Sequence, residues 1–264
     1  MLEIKNFTKI FNKDDPENQK IALDNINLHI EDGDFVTIIG GNGSGKSTLM
    51  NMISGVYEPE MGHIMIDKID VTKMSESKRA VYLGRVFQDP LMGTCANMSI
   101  IENLEIASRR GQKNTLKWGF KKENAEKFVE ILSKLNLGLE TRLESKVGLL
   151  SGGQRQAVTL LMATFKKPKI LLLDEHTAAL DPKTAKKVLD LTDEVVKENK
   201  LTTLMITHNM RDAIKYGNRL IMMNEGHIIL DIKGEEKENL TIEDLLSRFE
   251  KTEVEFTDKM LFSK

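Results

Sequence analysis

Apolar residues change period three times along the chain, and each change marks a different kind of element. Between Met1 and Ile39 they alternate, with Leu2 and Ile4 on one strand and Ile26, Leu28 and Ile30 on another. A turn at Glu31–Asp34 follows, and then a continuous apolar run, Phe35–Ile39. Alternation predicts half-buried strands, and the run predicts a strand buried on both faces. Residues 46–54 predict a helix and 63–70 another strand. From about Pro90 to Phe165 the period becomes helical, with Ala125, Phe128, Val129, Leu132 and Leu135 at helix spacing. Strands and helices alternate again over 170–230. There Ile170–Leu173, after the Lys166–Lys169 turn, predicts a buried parallel strand, and a hairpin is expected around Asn224, Glu225 and Gly226. Near Leu240 a last helix is expected, with Thr241 and Asp244 as its capping box. The pattern predicts an α/β fold, with strands at the N-terminus and a helical stretch from about 90 to 165 between the strand-bearing parts.

Chemistry enters where the buried strand ends. Gly40, Gly41, Asn42, Gly43, Ser44, Gly45, Lys46, Ser47 and Thr48 follow Ile39 and open the helix at 46–54. This is a G-x-x-x-x-G-K-[ST] phosphate loop in its strand–loop–helix setting, so a P-loop NTPase core with a mixed or parallel sheet is expected. Its glycines let backbone N–H groups surround phosphate oxygens, and the helix N-terminus adds donors and partial positive charge. Lys46 is expected to reach the β- and γ-phosphates of a nucleotide, and Ser47 to join a Mg²⁺ shell. Asp174 and Glu175 end the Ile170–Leu173 strand, where open α/β sheets bind ligands. Asp174 can hold Mg²⁺ through water, and Glu175 can polarise an attacking water. Paired acids after a strand can also serve only to solvate a loop; the phosphate loop favours the metal-and-base reading.

With Leu150, Ser151, Gly152, Gly153 and Gln154 added at the start of an amphipathic helix (Val158, Leu161, Met162, Phe165), residues 1–235 resemble the ATP-binding-cassette (ABC) ATPases. The resemblance implies that Ser151–Gln154 closes over ATP bound by a second ATPase subunit, in a homodimer or a pseudo-dimer. It implies that Gln88 senses Mg²⁺ and the attacking water, and that Asp181, after Ala179 and Leu180, lies in the loop crossing that dimer. It also implies that His208 contacts the γ-phosphate and that Phe11 stacks on adenine. The other four histidines read as structural, and Phe11 could instead be a core residue. Two positions depart from the family pattern: His176 stands where proline is common after the catalytic acid, and Ala157 where arginine is usual.

The resemblance further implies transmembrane permease subunits as partners, an extracytoplasmic substrate-binding protein, and a place on the cytoplasmic face of the cell membrane. A prokaryotic importer, possible cargo being amino acids, is the first expectation. The rival is a single-cassette ATPase regulating a non-transporting membrane complex. The resemblance also implies an N-terminal antiparallel β subdomain and an α-helical subdomain inserted over about 90–165, and residues 236–264 are expected to form a short helical extension.

Composition narrows little further. The 264 residues carry a formal charge of −2 and 40% hydrophobic content, which suits a globular chain with a sizeable core. No apolar run reaches the ~18 residues of a membrane span, and Met1–Asn6 lacks the apolar region of a secretory signal. A single cysteine, Cys95, excludes an internal disulfide and fits a reducing compartment. The near-neutral balance argues against a nucleic-acid partner. One basic stretch, Arg109, Arg110, Lys113, Lys117, Lys121 and Lys122 with Trp118 and Phe120 between, reads as a solvated face or as a patch toward anionic lipid.

Overall fold

The structure, a computed structural model, describes residues 1–112 and 122–250. Strands β1 (Leu2–Phe11), β2 (Lys20–Ile30) and β3 (Phe35–Ile39) come first, then α1 (Lys46–Ser54), β4 (Met61–Ile66), β5 (Ile69–Asp70) and α2 (Glu76–Arg79). Next are β6 (Leu83–Val86), α3 (Ile100–Ser108), α4 (Lys122–Lys134), a 3₁₀ turn at Val147–Leu149, α5 (Gly152–Thr164), β7 (Ile170–Asp174) and α6 (Pro182–Asn199). The chain continues through β8 (Thr202–Ile206), α7 (Met210–Lys215), β9 (Arg219–Asn224), β10 (His227–Lys233), α8 (Glu235–Glu238) and a helix from 242 to the end of the described residues.

Two compact units result: Met1–Arg79 together with the chain from Lys200 onward, and Ala80–Asn199. In the first, β2, β1, β4 and β5 form an antiparallel sheet. Ile26, Leu28 and Ile30 point inward while Asn27 and His29 face out, as the alternation requires. β3 lies between β8 and β9, parallel to both, and all five of its residues are buried; burial on both faces is why its sequence does not alternate. β9 and β10 form the expected hairpin, with Glu225 and Gly226 both at positive φ. The buried Thr37 hydroxyl donates to the Ala213 carbonyl at 2.8 Å, tying α7 to β3. Ile39, Leu220, Met222 and Ile232 pack with Leu240 and Leu245, so the C-terminal helix closes this core. Thr241 and Asp244 make the expected capping box: the Thr241 hydroxyl donates to Asp244 Oδ2 at 2.6 Å and accepts from the Asp244 N–H at 3.1 Å.

In the second unit β6 and β7 are parallel neighbours, in register from Leu83 and Ile170 to Val86 and Leu173. Helices α3, α4 and α5 share a core that includes Ile100, Leu104, Phe128, Leu132, Val158 and Leu161.

Two expectations need correction. Residues 63–70 are not one strand, because Asp67 and Lys68 both take positive φ (47° and 68°) and turn the chain from β4 into β5. Such a pair of left-handed residues makes the tight turn whose twist matches a hairpin. Val129 is 37% exposed, whereas Phe128 and Leu132 are buried, so the α4 stripe is narrower than its spacing suggests. Lys113, Lys117, Trp118, Phe120 and Lys121 of the basic stretch, and 251–264 of the extension, lie outside the described residues. Among the described residues, no helix is long and apolar enough to cross a membrane.

Candidate functional site

The phosphate loop leaves the carboxyl end of β3. Gly40 has φ 151°, and a Cβ there would stand 2.2 Å from the Met223 carbonyl oxygen, so only glycine fits. Residues 41–43 are exposed, and Gly45, at φ 101°, begins α1 with no side-chain cap. A helix N-terminus without a capping side chain offers its first N–H groups to an anion. Lys46 is buried and folds back over the loop: its Nζ donates to the Gly40 and Gly41 carbonyls at 2.9 and 2.8 Å and to Ser44 Oγ at 3.2 Å. Neutral oxygens hold an ammonium less strongly than charged phosphate oxygens do, so the arrangement suits exchange. Ser47 is exposed on the first turn of α1, with Thr48 half-buried behind it.

The far end of α1 is fixed by Arg79. Its fully buried guanidinium donates to the carbonyls of Met52, Ile53, Thr72 and Met74 at 2.6–2.9 Å. Met52 and Ile53 lie in the last turn of α1, so the guanidinium ties that end of the helix to the Thr72–Met74 segment. His208 leaves the carboxyl end of β8, whose neighbour is β3, and the Thr207 N–H donates to the Ile38 carbonyl at 3.2 Å. The loop and the exposed His208 therefore emerge at the same edge of the sheet. Phe11 is half-buried rather than a core residue, and its ring stands edge-on to Tyr57 with centroids 5.3 Å apart.

In the second unit Asp174 ends β7, and Gln88 follows β6 by two residues. The register brings both to one edge. Glu175 has φ 46°, an uncommon conformation for a residue with a side chain, costing about 1–2 kcal/mol. Such strain gathers at functional positions. The turn after it closes through the Ala178 N–H and the Glu175 carbonyl at 2.9 Å.

His176 explains its own departure from the usual proline. It is buried, and its Nε2 lies 3.1 Å from Thr192 Oγ1. The Thr192 proton already goes to the Val188 carbonyl, so His176 must donate from Nε2. Burial pushes its pKa down to about 4, so the ring is neutral. Gln156 spans both turns: its Nε2 donates to the Phe87 carbonyl at 3.1 Å and to the His176 carbonyl at 2.5 Å. One amide thus clamps the backbone beside Gln88 and beside Glu175.

Ser151 and Gln154 cap α5 reciprocally: Ser151 Oγ accepts from the Gln154 N–H at 3.3 Å, and Gln154 Oε1 accepts from the Ser151 N–H at 3.2 Å. A hydroxyl that accepts there keeps its own hydrogen to donate elsewhere. Gly152 is exposed, whereas a Cβ on Gly153 would meet Thr184 Cγ2 at 2.2 Å, a packing reason for that glycine. Asp181 accepts from the Thr184 N–H at 3.1 Å, and the Thr184 contacts hold its carboxyl below the usual range. A cavity of about 530 Å³ is lined by Ser151, Gly153 and Gln154 with Lys134, Thr184 and Lys187.

The structure therefore brings Gly40–Thr48 and His208 together in one unit, and Gln88, Asp174 and Glu175 together in the other. Ser151–Gln154 and Asp181 adjoin one another through Thr184. Sequence reasoning missed Gln156, Arg79 and Arg85 (Arg85 contacts Asp174). The first stands beside Ala157, the position where arginine is usual. Ala157 is fully buried, and Arg155 donates to the Val147, Gly148 and Leu150 carbonyls. Cys95 is an exposed free thiol.

A phosphate loop after a central parallel strand, with an acidic pair ending another strand, defines a P-loop ATPase. The chain belongs to the ABC transporter family, whose model matches residues 23–178, and it is an ATP-binding cassette ATPase, the ATP-binding subunit of a transporter. It is 49% identical to the tyrosine transport ATP-binding protein of Clostridioides difficile over 95% of this chain and 99% of that protein. It is 36% identical to the energy-coupling factor transporter ATP-binding protein EcfA2 of Clostridium perfringens, over 88% and 79%. Among solved structures it is similar to the dimeric post-hydrolysis state of the ATP-binding cassette MJ0796 bound to ADP and Pi. That match has TM-score 0.73 and 30% identity, and covers 88% of this chain and 98% of that one.

Proposed function

We propose that the chain powers an importer of amino acids, with an aromatic amino acid such as tyrosine as the first candidate, by driving a separate permease through ATP-dependent pairing. The name of the 49%-identical relative supports the cargo, and that match runs nearly end to end in both chains. A methionine import ATP-binding protein of Lactiplantibacillus plantarum, 36% identical over 87% of this chain and 64% of that one, supports import. The observation that carries nucleotide binding is the uncapped α1 N-terminus with Lys46 lodged on loop oxygens.

In this reading residues 1–235 are the cassette, about 90–165 its helical part, and 236–264 an extension. Gly40–Thr48 wraps the phosphates of ATP, and Phe11 stacks on adenine, a contact worth about 1–3 kcal/mol. Ser47 and Asp174, with Gln88, hold Mg²⁺. These are oxygen donors and too few for a full shell, which suits an ion that keeps waters and phosphate oxygens. Mg²⁺ would neutralise charge developing on the transferred phosphoryl group. Glu175 directs the attacking water, and His208 meets the γ-phosphate.

Ser151, Gly152, Gly153 and Gln154 of a second subunit close over that phosphate, and Asp181 lies at the crossing. The pairing is self-complementary and closes as a two-fold dimer or a pseudo-dimer. Hydrolysis removes the shared phosphate and reopens the pair at the cytoplasmic face of the membrane. An extracytoplasmic binding protein delivers the cargo. Proteoliposomes holding the co-purified permease and this subunit test the proposal. ATP-dependent uptake of labelled tyrosine is expected. A multi-span partner that stimulates hydrolysis without moving any amino acid would favour the regulatory alternative.

A further inference from the structure

Arg85 lies in β6 one residue from the strand's end, and its Nη2 contacts Asp174 Oδ2 at 3.3 Å. Both side chains are largely buried, at 13% and 17% exposure, so solvent does little to screen the pair. The guanidinium also lies over the Phe87 ring, its Cζ 4.6 Å from the centroid. Phe87 immediately precedes Gln88, and its carbonyl is the one clamped by Gln156. One cation therefore touches the carboxylate read as the metal-side acid and the aromatic next to the residue read as the metal sensor.

We propose that Arg85 is a cationic stand-in for the divalent metal, holding Asp174 until a metal–nucleotide complex displaces it and thereby lowering the affinity of the site for the metal. This rests on the assignment of Asp174 to the metal. A largely buried carboxylate at a strand end needs a countercharge, and Arg85 supplies one from the neighbouring strand. At 3.3 Å the contact is longer than the short forked pairs arginine makes with carboxylates, so it is an exchangeable one. The Phe87 face gives the guanidinium a second seat when the carboxylate turns to the metal. A fixed positive charge near an incoming dication raises the energy of the loaded state, so metal is taken up with nucleotide and released readily. The exchange also changes the load on Phe87, so metal occupancy is felt at the Gln88 backbone.

The test is Mn²⁺ binding by electron paramagnetic resonance to the full chain with a non-hydrolysable ATP analogue. Arg85→Gln should tighten Mn²⁺ about tenfold, while Arg85→Lys, which keeps the charge, should stay within about twofold. An unchanged or weaker Mn²⁺ affinity in Arg85→Gln overturns the proposal. Asp174→Asn in the same assay separates the two readings. If it leaves Mn²⁺ binding unchanged, the metal assignment fails and takes this inference with it. If it weakens Mn²⁺ while Arg85→Gln does not tighten it, only the role of Arg85 fails. Should Arg85→Gln not fold, Phe87→Leu removes the second seat, leaves Arg85 on Asp174 and should weaken Mn²⁺ about threefold; no change there is equally contrary.

Discussion

Gln156 Nε2 and the main-chain carbonyl of His176 are hydrogen-bonded at 2.5 Å, and the same nitrogen reaches the Phe87 carbonyl at 3.1 Å. Helix α5 thereby fixes the two turns beside Glu175 and Gln88. Gln156→Leu removes the donor from both carbonyls, that of His176 being buried, at a cost of about 2 kcal/mol. In steady-state kinetics kcat should fall at least tenfold while ATP binding is nearly unchanged. A variant that lost ATP affinity in proportion would place Gln156 in nucleotide binding instead.

His176 makes stability sensitive to acid. Its folded pKa of about 4 lies below the ordinary histidine value of 6.5, because burial opposes the charged ring. The unfolded chain therefore binds a proton that the native chain refuses as pH falls below 6.5. Stability from this group is full above 6.5 and declines until pH nears 4, by about 3 kcal/mol in total. His176→Leu should flatten that part of the profile in urea titrations between pH 4 and 7. An unchanged acid slope would show that other groups set it.

Much of the architecture was legible in the chain because the relevant signals are local. The Phe35–Ile39 run, the Lys46 loop and the Thr241–Asp244 capping box each declare themselves within a few residues. What sequence left out depends on partners distant in the chain. Arg79 reads as one more basic residue on a short helix, yet it is buried among four carbonyls brought there by folding. His176 reads as an irregular substitution, and its reason, Thr192, lies sixteen residues on. Asp67 and Lys68 lack the glycine that announces most tight hairpins, so the pattern over 63–70 shows no turn there. Val129 shows the converse error, an apolar residue at helix spacing that packs against too little to be covered.

Arg79→Ala should destabilise the fold by about 3 kcal/mol, since it removes the guanidinium donor from four carbonyls, two of them in the last turn of α1. Chemical denaturation measures this directly, and a loss under 1 kcal/mol would mean that water replaces the guanidinium.

Lys46→Ala should weaken ATP binding at least tenfold in calorimetry, because a charged contact to the phosphates is lost. Unchanged affinity would contradict the assignment of the loop.

Glu175→Gln should keep ATP binding, lower turnover about 100-fold or more, and accumulate an ATP-bound dimer visible by light scattering. Ordinary turnover would remove Glu175 from its role.

The central claim is that each hydrolytic centre is divided between two subunits, and subunit mixing tests it most directly. A Lys46→Ala chain and a Ser151→Arg chain should each be nearly inactive alone. Mixed in equal amounts, half of the dimers combine an intact Lys46 with the intact Ser151 of the other chain at one of two sites. ATPase activity should then return to about a quarter of the unmodified level. Full silence in the mixture, or ordinary activity of Ser151→Arg alone, would contradict the shared site.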